Sequence, residues 1–243
     1  MPSTKKKKQK QNKIEILAKK LGLKFSDKSL LERALTHRSY LNEKKNEKLH
    51  HNERLEFLGD AVLELIISEH LFSAYPERAE GELTSFRAAT VKTDTLALVS
   101  RELNFGEHLR MSKGEEATGG RDKDYLLANT FESVLGSIYI DQGYESCKKF
   151  VSEVLIPRIE NIVENRLDID AKTEFQEIAQ ARYRLTPTYK LVVAKGPDHE
   201  KTFTMAIMVG DDEFGRGAGP SKQKAEEKAA QKALEKVKAD DKK

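Results

Sequence analysis

Glu53, Glu56 and Asp60 are spaced three and four residues apart in the run Asn52-Glu53-Arg54-Leu55-Glu56-Phe57-Leu58-Gly59-Asp60. On a helix, at about 100° per residue, that spacing gathers the carboxylates into an arc of roughly 60°. Leu55, Leu58, Val62, Leu65 and Ile66 fall on the opposite side, so a core stripe points away from the acids. Oxygen donors held together suit a hard divalent cation such as Mg²⁺. A solvated acidic face on an amphipathic helix has the same spacing, which by itself leaves both readings open.

Helices must position these acids. Helical periodicity runs over Ile14–Leu23, Leu30–Thr36, Leu55–Phe72, Thr84–Leu103, Tyr125–Ile140 and Tyr144–Glu164, with Pro157 a kink or break in the last. Gly114, Gly119 and Gly120 mark a loop between two of them. Residues 13–165 therefore read as an all-α domain. Residues 1–12 form a lysine-rich, apolar-poor tail expected to be disordered, and 166–170 read as a linker.

The rhythm then changes. Residues 171–239 predict a small α+β domain of α-β-β-β-α order, with 240–243 a short tail: a helix over Ala171–Tyr183, strands over Thr188–Lys195, Lys201–Val209 and Glu213–Arg216, and a helix that Pro220 opens and that runs to about Val237. Lys222, Lys224 and Lys228 lie near the start of that last helix, where the dipole also favours phosphate.

The run from Asn52 to Asp60 resembles the signature of the ribonuclease III family, nucleases that cut double-stranded RNA. The resemblance extends through Ala34-Leu35-Thr36-His37-Arg38-Ser39-Tyr40, Glu80-Gly81-Glu82-Leu83-Thr84 and Gly119-Gly120-Arg121 to Leu127-Ala128-Asn129-Thr130-Phe131-Glu132. Residues 171–239 resemble a double-stranded RNA-binding domain through Lys172-Thr173-Glu174-Phe175-Gln176-Glu177, Gly196-Pro197-Asp198-His199 and Gly219-Pro220-Ser221-Lys222-Gln223-Lys224. Gln223 stands where that pattern is usually basic.

The resemblance implies an Mg²⁺-dependent endoribonuclease, with Mn²⁺ able to substitute. It would cut both strands of duplex RNA to 5′-phosphate and 3′-hydroxyl ends with short 3′ overhangs, in processing rRNA and mRNA precursors. It implies Glu56, Asp60, Asn129 and Glu132 as metal ligands, with Asp60 and Glu132 catalytic, and Glu53 and Glu80 serving RNA contact or a second metal. Asn129 stands where the family most often has Asp; an amide oxygen can ligate Mg²⁺ but supplies no charge, which implies weaker metal binding. The alternative is a double-stranded-RNA-binding protein that Asn129 has silenced or weakened. In the second domain the resemblance implies RNA contacts by Lys172, Thr173, Gln176, Glu177, Gly196, Pro197, His199, Ser221, Lys222 and Lys224. Such contacts read A-form shape rather than sequence, touching minor-groove 2′-hydroxyls and phosphates.

A homodimer follows from the same family and from symmetry, since two acid clusters about a twofold axis suit two antiparallel strands. Phe57 lies on the acidic side of its helix, where a partner subunit would cover it; the alternative is that it packs under the Leu109–Arg121 loop of its own chain. His37, in the early motif, is expected to bond structurally rather than act as a base.

Charge agrees with the division. The net charge is +3, yet residues 1–13 carry six lysines and no acid and residues 170–243 carry 15 basic against 13 acidic residues, which leaves residues 14–169 at −5. An acidic segment repels RNA phosphate unless a cation intervenes. Cys147 is the only cysteine, which excludes an intramolecular disulfide and a zinc–thiolate cluster. No apolar run approaches the roughly 20 residues of a membrane span, and the basic N-terminus is followed by no apolar stretch, so a cytoplasmic protein is expected.

Overall fold

The structure is a computed structural model that describes residues 14–43, 50–168, 170–197 and 200–240. The expected basic tail, His199 and residues 241–243 lie outside them. The chain divides after Asp168 into two compact units.

The first unit is helical. Residues 14–20 form α1, followed by α2 (Lys28–Ala34), α3 (Arg38–Asn42), α4 (Glu53–Ala74), α5 (Glu80–Val91), α6 (Thr93–Glu102), α7 (Phe105–His108), α8 (Lys113–Ala117), α9 (Asp124–Gln142), α10 (Tyr144–Val154) and α11 (Ile156–Glu164). The expected helix over Thr84–Leu103 is broken at Lys92, whose backbone is extended (φ −61°, ψ 151°). That over Tyr144–Glu164 ends at Leu155, and Pro157 sits in the first turn of α11, where its missing N–H costs nothing.

Two helices, α4 and α9, make the centre. Leu55, Leu63, Ile66, Ile67 and Leu71 of α4 and Phe131, Val134, Leu135 and Ile138 of α9 are fully or nearly fully buried in one core. Glycines set the distance between the helices: a Cβ on Gly59 would lie 1.8 Å from the carbonyl oxygen of Glu132, and one on Gly136 would lie 2.2 Å from that of Leu55. Backbone therefore touches backbone at the crossing. Ser133, also buried on α9, turns its hydroxyl back to donate to the Asn129 carbonyl at 2.7 Å, as small helical hydroxyls do when packed.

The start of α4 is tied to the corner between α2 and α3. The Asn52 N–H donates to the Thr36 carbonyl at 2.9 Å, and the His37 N–H and Leu35 carbonyl bond the Arg110 backbone at 2.9 and 2.8 Å. His37 caps α3, its Nδ1 accepting from the Ser39 N–H at 3.3 Å, the structural role expected of it. Leu65 departs from expectation. Placed on the core stripe by periodicity, it is 58% exposed, alongside Phe57 and Phe72, because α4 carries two apolar faces and the spacing does not say which is covered.

The second unit has α12 (Ala171–Tyr183), β1 (Thr188–Lys195), β2 (Thr202–Val209), β3 (Asp212–Gly219) and α13 (Lys222–Asp240). The strands form an antiparallel sheet in the order β1-β2-β3, with register shifts at Leu191/Val193 and Ile207/Met208. Asp170 caps α12, accepting from the Lys172 and Thr173 N–H groups at 2.9 and 3.1 Å. Ser221 caps α13 in the same way, and Pro220 precedes the helix instead of opening it. A Cβ on Gly217 of β3 would lie 2.3 Å from the Ala229 nitrogen, so α13 rests directly on the strand. Phe175, Ile207, Ala229, Ala233 and Val237 fill the space between the helices and the sheet.

Candidate active site

The crossing of α4 and α9 brings Glu56 and Asp60, one turn apart on the first helix, against Asn129 and Glu132 on the second. Burial raises the Glu56 carboxyl above its ordinary value; Glu53 pushes it further, a hydrogen bond with the Asn129 side chain opposes the shift, and Asp60 adds to it. Glu132 is pushed up to about 8, first by burial and then by the carboxylates of Asp60 and Glu56. Burial and the two neighbouring carboxylates thus both favour the protonated form of Glu132.

Such a site fits a hard divalent cation. Carboxylates and one amide supply only oxygen donors, the set that suits Mg²⁺ or Mn²⁺ and not a thiolate-preferring metal. A 2+ charge would also offset the carboxylate repulsion that adds to burial in raising Glu132. As the side chains stand, no group of three or more His, Cys, Asp or Glu among the described residues closes on one point. Completing a shell would take water and phosphate oxygens, ligands that Mg²⁺ retains readily.

Glu53 sits at the rim of this centre, and Glu64 and Glu80 make contacts of their own. Glu53 faces Arg38 Nη1 at 3.4 Å and His51 Nδ1 at 3.7 Å. Glu80, at the start of α5, accepts from the Thr84 hydroxyl at 3.1 Å and lines a groove with Leu65, Ser68, Phe72 and Arg87, away from the α4–α9 cluster. Glu64 is paired with Arg87 at 3.2 Å. Phe57 is 80% exposed, which removes the alternative that its own chain covers it; Leu109 and Met111 of the loop pack instead with Ala97, Leu126 and Leu127.

In the second unit, Thr173, Gln176 and Glu177 are exposed along α12, and Ser221, Lys222 and Lys224 are exposed at the start of α13. Gly196 and Pro197 are exposed in the turn after β1, where Gly196 has φ +100° and a Cβ would meet the Glu200 carbonyl at 2.8 Å. Lys172 is less available than its motif suggests, because its Nζ bonds Glu226 at 2.7 Å and lies 4.8 Å from the centre of the Tyr189 ring. Reading the sequence around His37 for a base missed its neighbour Arg38; the acidic signature 15 residues on was the only signal that a cation there would face a carboxylate.

Known proteins agree with both units. A ribonuclease-III-like family model matches residues 27–159, and a double-stranded RNA binding motif matches residues 171–237. The chain is 48% identical to "Ribonuclease 3" of Desulforamulus reducens over 90% of this chain and 89% of that protein, and 46% identical to the Lactococcus lactis subsp. cremoris SK11 protein of the same name over 90% and 95%. Among solved structures, the nuclease domain of ribonuclease III from Campylobacter jejuni superimposes with a TM-score of 0.55 at 39% identity, covering 59% of this chain and 99% of that one. A helical nuclease unit with its carboxylates at a glycine crossing, followed by a duplex-RNA-binding unit, places this chain in the ribonuclease III family of endoribonucleases.

Proposed function

We propose that the chain cleaves both strands of double-stranded RNA in an Mg²⁺-dependent reaction, with Mn²⁺ able to substitute, and works as a homodimer on rRNA and mRNA precursors in the cytoplasm. The observation that carries this reading is the electrostatic coupling of Glu56, Asp60 and Glu132 across two helices, with the Asn129 side chain bonded to Glu56 and Glu132 pushed up to about 8. Glu56, Asp60, Asn129 and Glu132 would hold Mg²⁺, which when bound would supply Lewis acidity for activating water and for charge on the leaving 3′-oxygen. Asp60 and Glu132 would hold and orient it, and the Asn129 amide steadies Glu56 for the same task. The products would carry 5′-phosphate and 3′-hydroxyl ends, and two centres offset across the duplex would leave short 3′ overhangs.

Phe57, Leu65 and Phe72 give α4 an exposed apolar stripe, 80, 58 and 75% accessible, of the kind a second subunit covers. The Campylobacter jejuni domain is described as having a region involved in dimer formation, which supports the same assembly here. No helix among the described residues is long and apolar enough to cross a membrane. A binder silenced by Asn129 finds no support beside relatives 46–48% identical that are named Ribonuclease 3.

Incubation with a long RNA duplex, and with a single strand of the same sequence, in Mg²⁺ or EDTA tests the reading. Duplex cleavage that EDTA abolishes is expected; cleavage that survives EDTA rules out the metal mechanism. Sedimentation of the whole chain at micromolar concentration should give a dimer that Phe57→Glu converts to monomer. A monomeric unaltered chain that still cuts both strands rules out the assembly.

A further inference from the structure

Two nitrogens lie near Glu53, Arg38 Nη1 at 3.4 Å from one oxygen and His51 Nδ1 at 3.7 Å from the other. The backbone around this contact is fixed. The Asn52 N–H bonds the Thr36 carbonyl at 2.9 Å, Arg33 Nε bonds the His51 carbonyl at 3.1 Å, and His37, the residue before Arg38, is itself tied to Arg110. The guanidinium is not fixed in that way. It is 72% exposed, and among the described residues Glu53 is its one ion-pair partner.

Stability does not account for the pair, because an exposed ion pair at this separation contributes about 0–1 kcal/mol. Its location suggests another use. Glu53 acts electrostatically on Glu56, a candidate metal ligand, so Arg38 is a cation at the rim of a centre otherwise lined by acid. A polyanion approaching that centre is repelled by the carboxylates. An arginine that faces a carboxylate through one Nη only has its remaining N–H groups in a rigid fork suited to phosphate oxygens.

We infer that Arg38 binds a backbone phosphate of the RNA strand beside the one that is cut, and that Glu53 acts through Arg38 as a positioning residue rather than as a metal ligand. The inference rests on the proposed duplex-RNA cleavage. It assigns the strand a cationic foothold in the nuclease unit, next to the acids and separate from the lysines of α13.

The test uses the full chain in EDTA, so that binding is read without cleavage, with a 30-base-pair RNA duplex titrated over a range of salt. Arg38→Ala should weaken binding by roughly five- to tenfold and lower the slope of log affinity against log salt by about 1 for each nuclease unit engaged. Arg38→Lys, which keeps the charge and loses the fork, should restore the slope and only part of the affinity. Glu53→Gln should weaken binding less, and its effect should vanish when Arg38 is already Ala. In Mg²⁺, Arg38→Ala should raise KM more than it lowers kcat.

An unchanged affinity and salt slope for a folded Arg38→Ala, checked by its melting temperature, overturns the inference. So does a Glu53→Gln effect that persists undiminished without Arg38. If the unaltered chain cuts no duplex, the proposed function fails as well; if it cuts duplex and Arg38→Ala binds as well as it does, only the role of Arg38 fails.

Discussion

The acids of α4 and α9 and the lysines of α13 are charged groups set to opposite purposes. Glu56 and Glu132 are partly buried, and burial together with the neighbouring carboxylates raises both, Glu132 to about 8. The lysines stay in water, spread along a helix, and several lie beside an acid: Lys224 is 2.9 Å from Glu227 and Lys232 is 2.7 Å from Glu235. Chemistry at one phosphodiester needs charge that is desolvated and fixed. Recognition of duplex shape needs charge that is solvated and can follow a backbone. The same chain builds the first with glycine-set contact between helices and the second with an exposed helix terminus.

The sharpest way to break the contrast is to move the helices. Gly59→Ala adds a methyl 1.8 Å from the Glu132 carbonyl oxygen, and nothing as rigid as a helix backbone can yield without separating α4 from α9. Calorimetry should show a loss of about 3 kcal/mol or more, with cleavage abolished. A change smaller than about 1 kcal/mol would mean the crossing is softer than its geometry.

Glu132→Gln separates charge from fold. Cleavage should drop by about 10² or more, while binding of RNA in EDTA persists. Stability should respond in the opposite sense. A carboxyl raised from 4.5 to about 8 in the folded state favours folding when protonated, so this contribution is complete below about pH 4.5 and is lost as pH rises through 8. Metal-free unaltered protein should therefore melt at falling temperature between pH 5 and pH 8, about the window of that shift; Mg²⁺ should flatten the fall, and the Gln variant should lack the part due to this group. Identical melting profiles for the two proteins would remove Glu132 from the buried cluster.

Asn129→Asp sharpens the contrast by adding a carboxylate. Half-maximal cleavage should then need less Mg²⁺, since a further negative charge in a partly dry site strengthens cation binding, and the metal-free protein should melt lower through added repulsion. An unshifted metal curve would confine Asn129 to its contact with Glu56. The smallest effect belongs to α13: Lys224→Ala should weaken duplex binding a few-fold, alike for all sequences, and lower the salt slope by about 1. Loss of binding for some sequences alone would contradict reading by shape.

Much of this was legible in the sequence because local periodicity is what dictates it. The α4 and α9 helices, the buried stripe of Phe131, Val134 and Ile138, and the α-β-β-β-α order of the second unit all follow from spacing. The break at Lys92 was not, since no proline or glycine marks it and its extended backbone answers to packing. Leu65 was misplaced for a related reason: an apolar residue looks the same whether its own chain or another subunit covers it. The acids at the α4–α9 crossing were legible as a family pattern, but the pairing of Arg38 with Glu53 accompanies the Asn52–Thr36 hydrogen bond, a contact across a turn that periodicity does not encode.

The glycine crossing also bears on which ion the centre can choose. Peptide groups of α4 and α9 meet beside Asp60 and Glu132, so the span between the two helices is a fixed gauge, set by van der Waals contact and not by adjustable side chains. Mg²⁺ asks for oxygen at about 2.0–2.1 Å, whereas Ca²⁺ asks for about 2.3–2.6 Å and more ligands. On the proposed function, a centre of this construction would not widen at its base to suit the larger ion. Discrimination between them would be built into the backbone, and a chain evolving toward a different metal would have to change rotamers or ligand identity before it could change the frame.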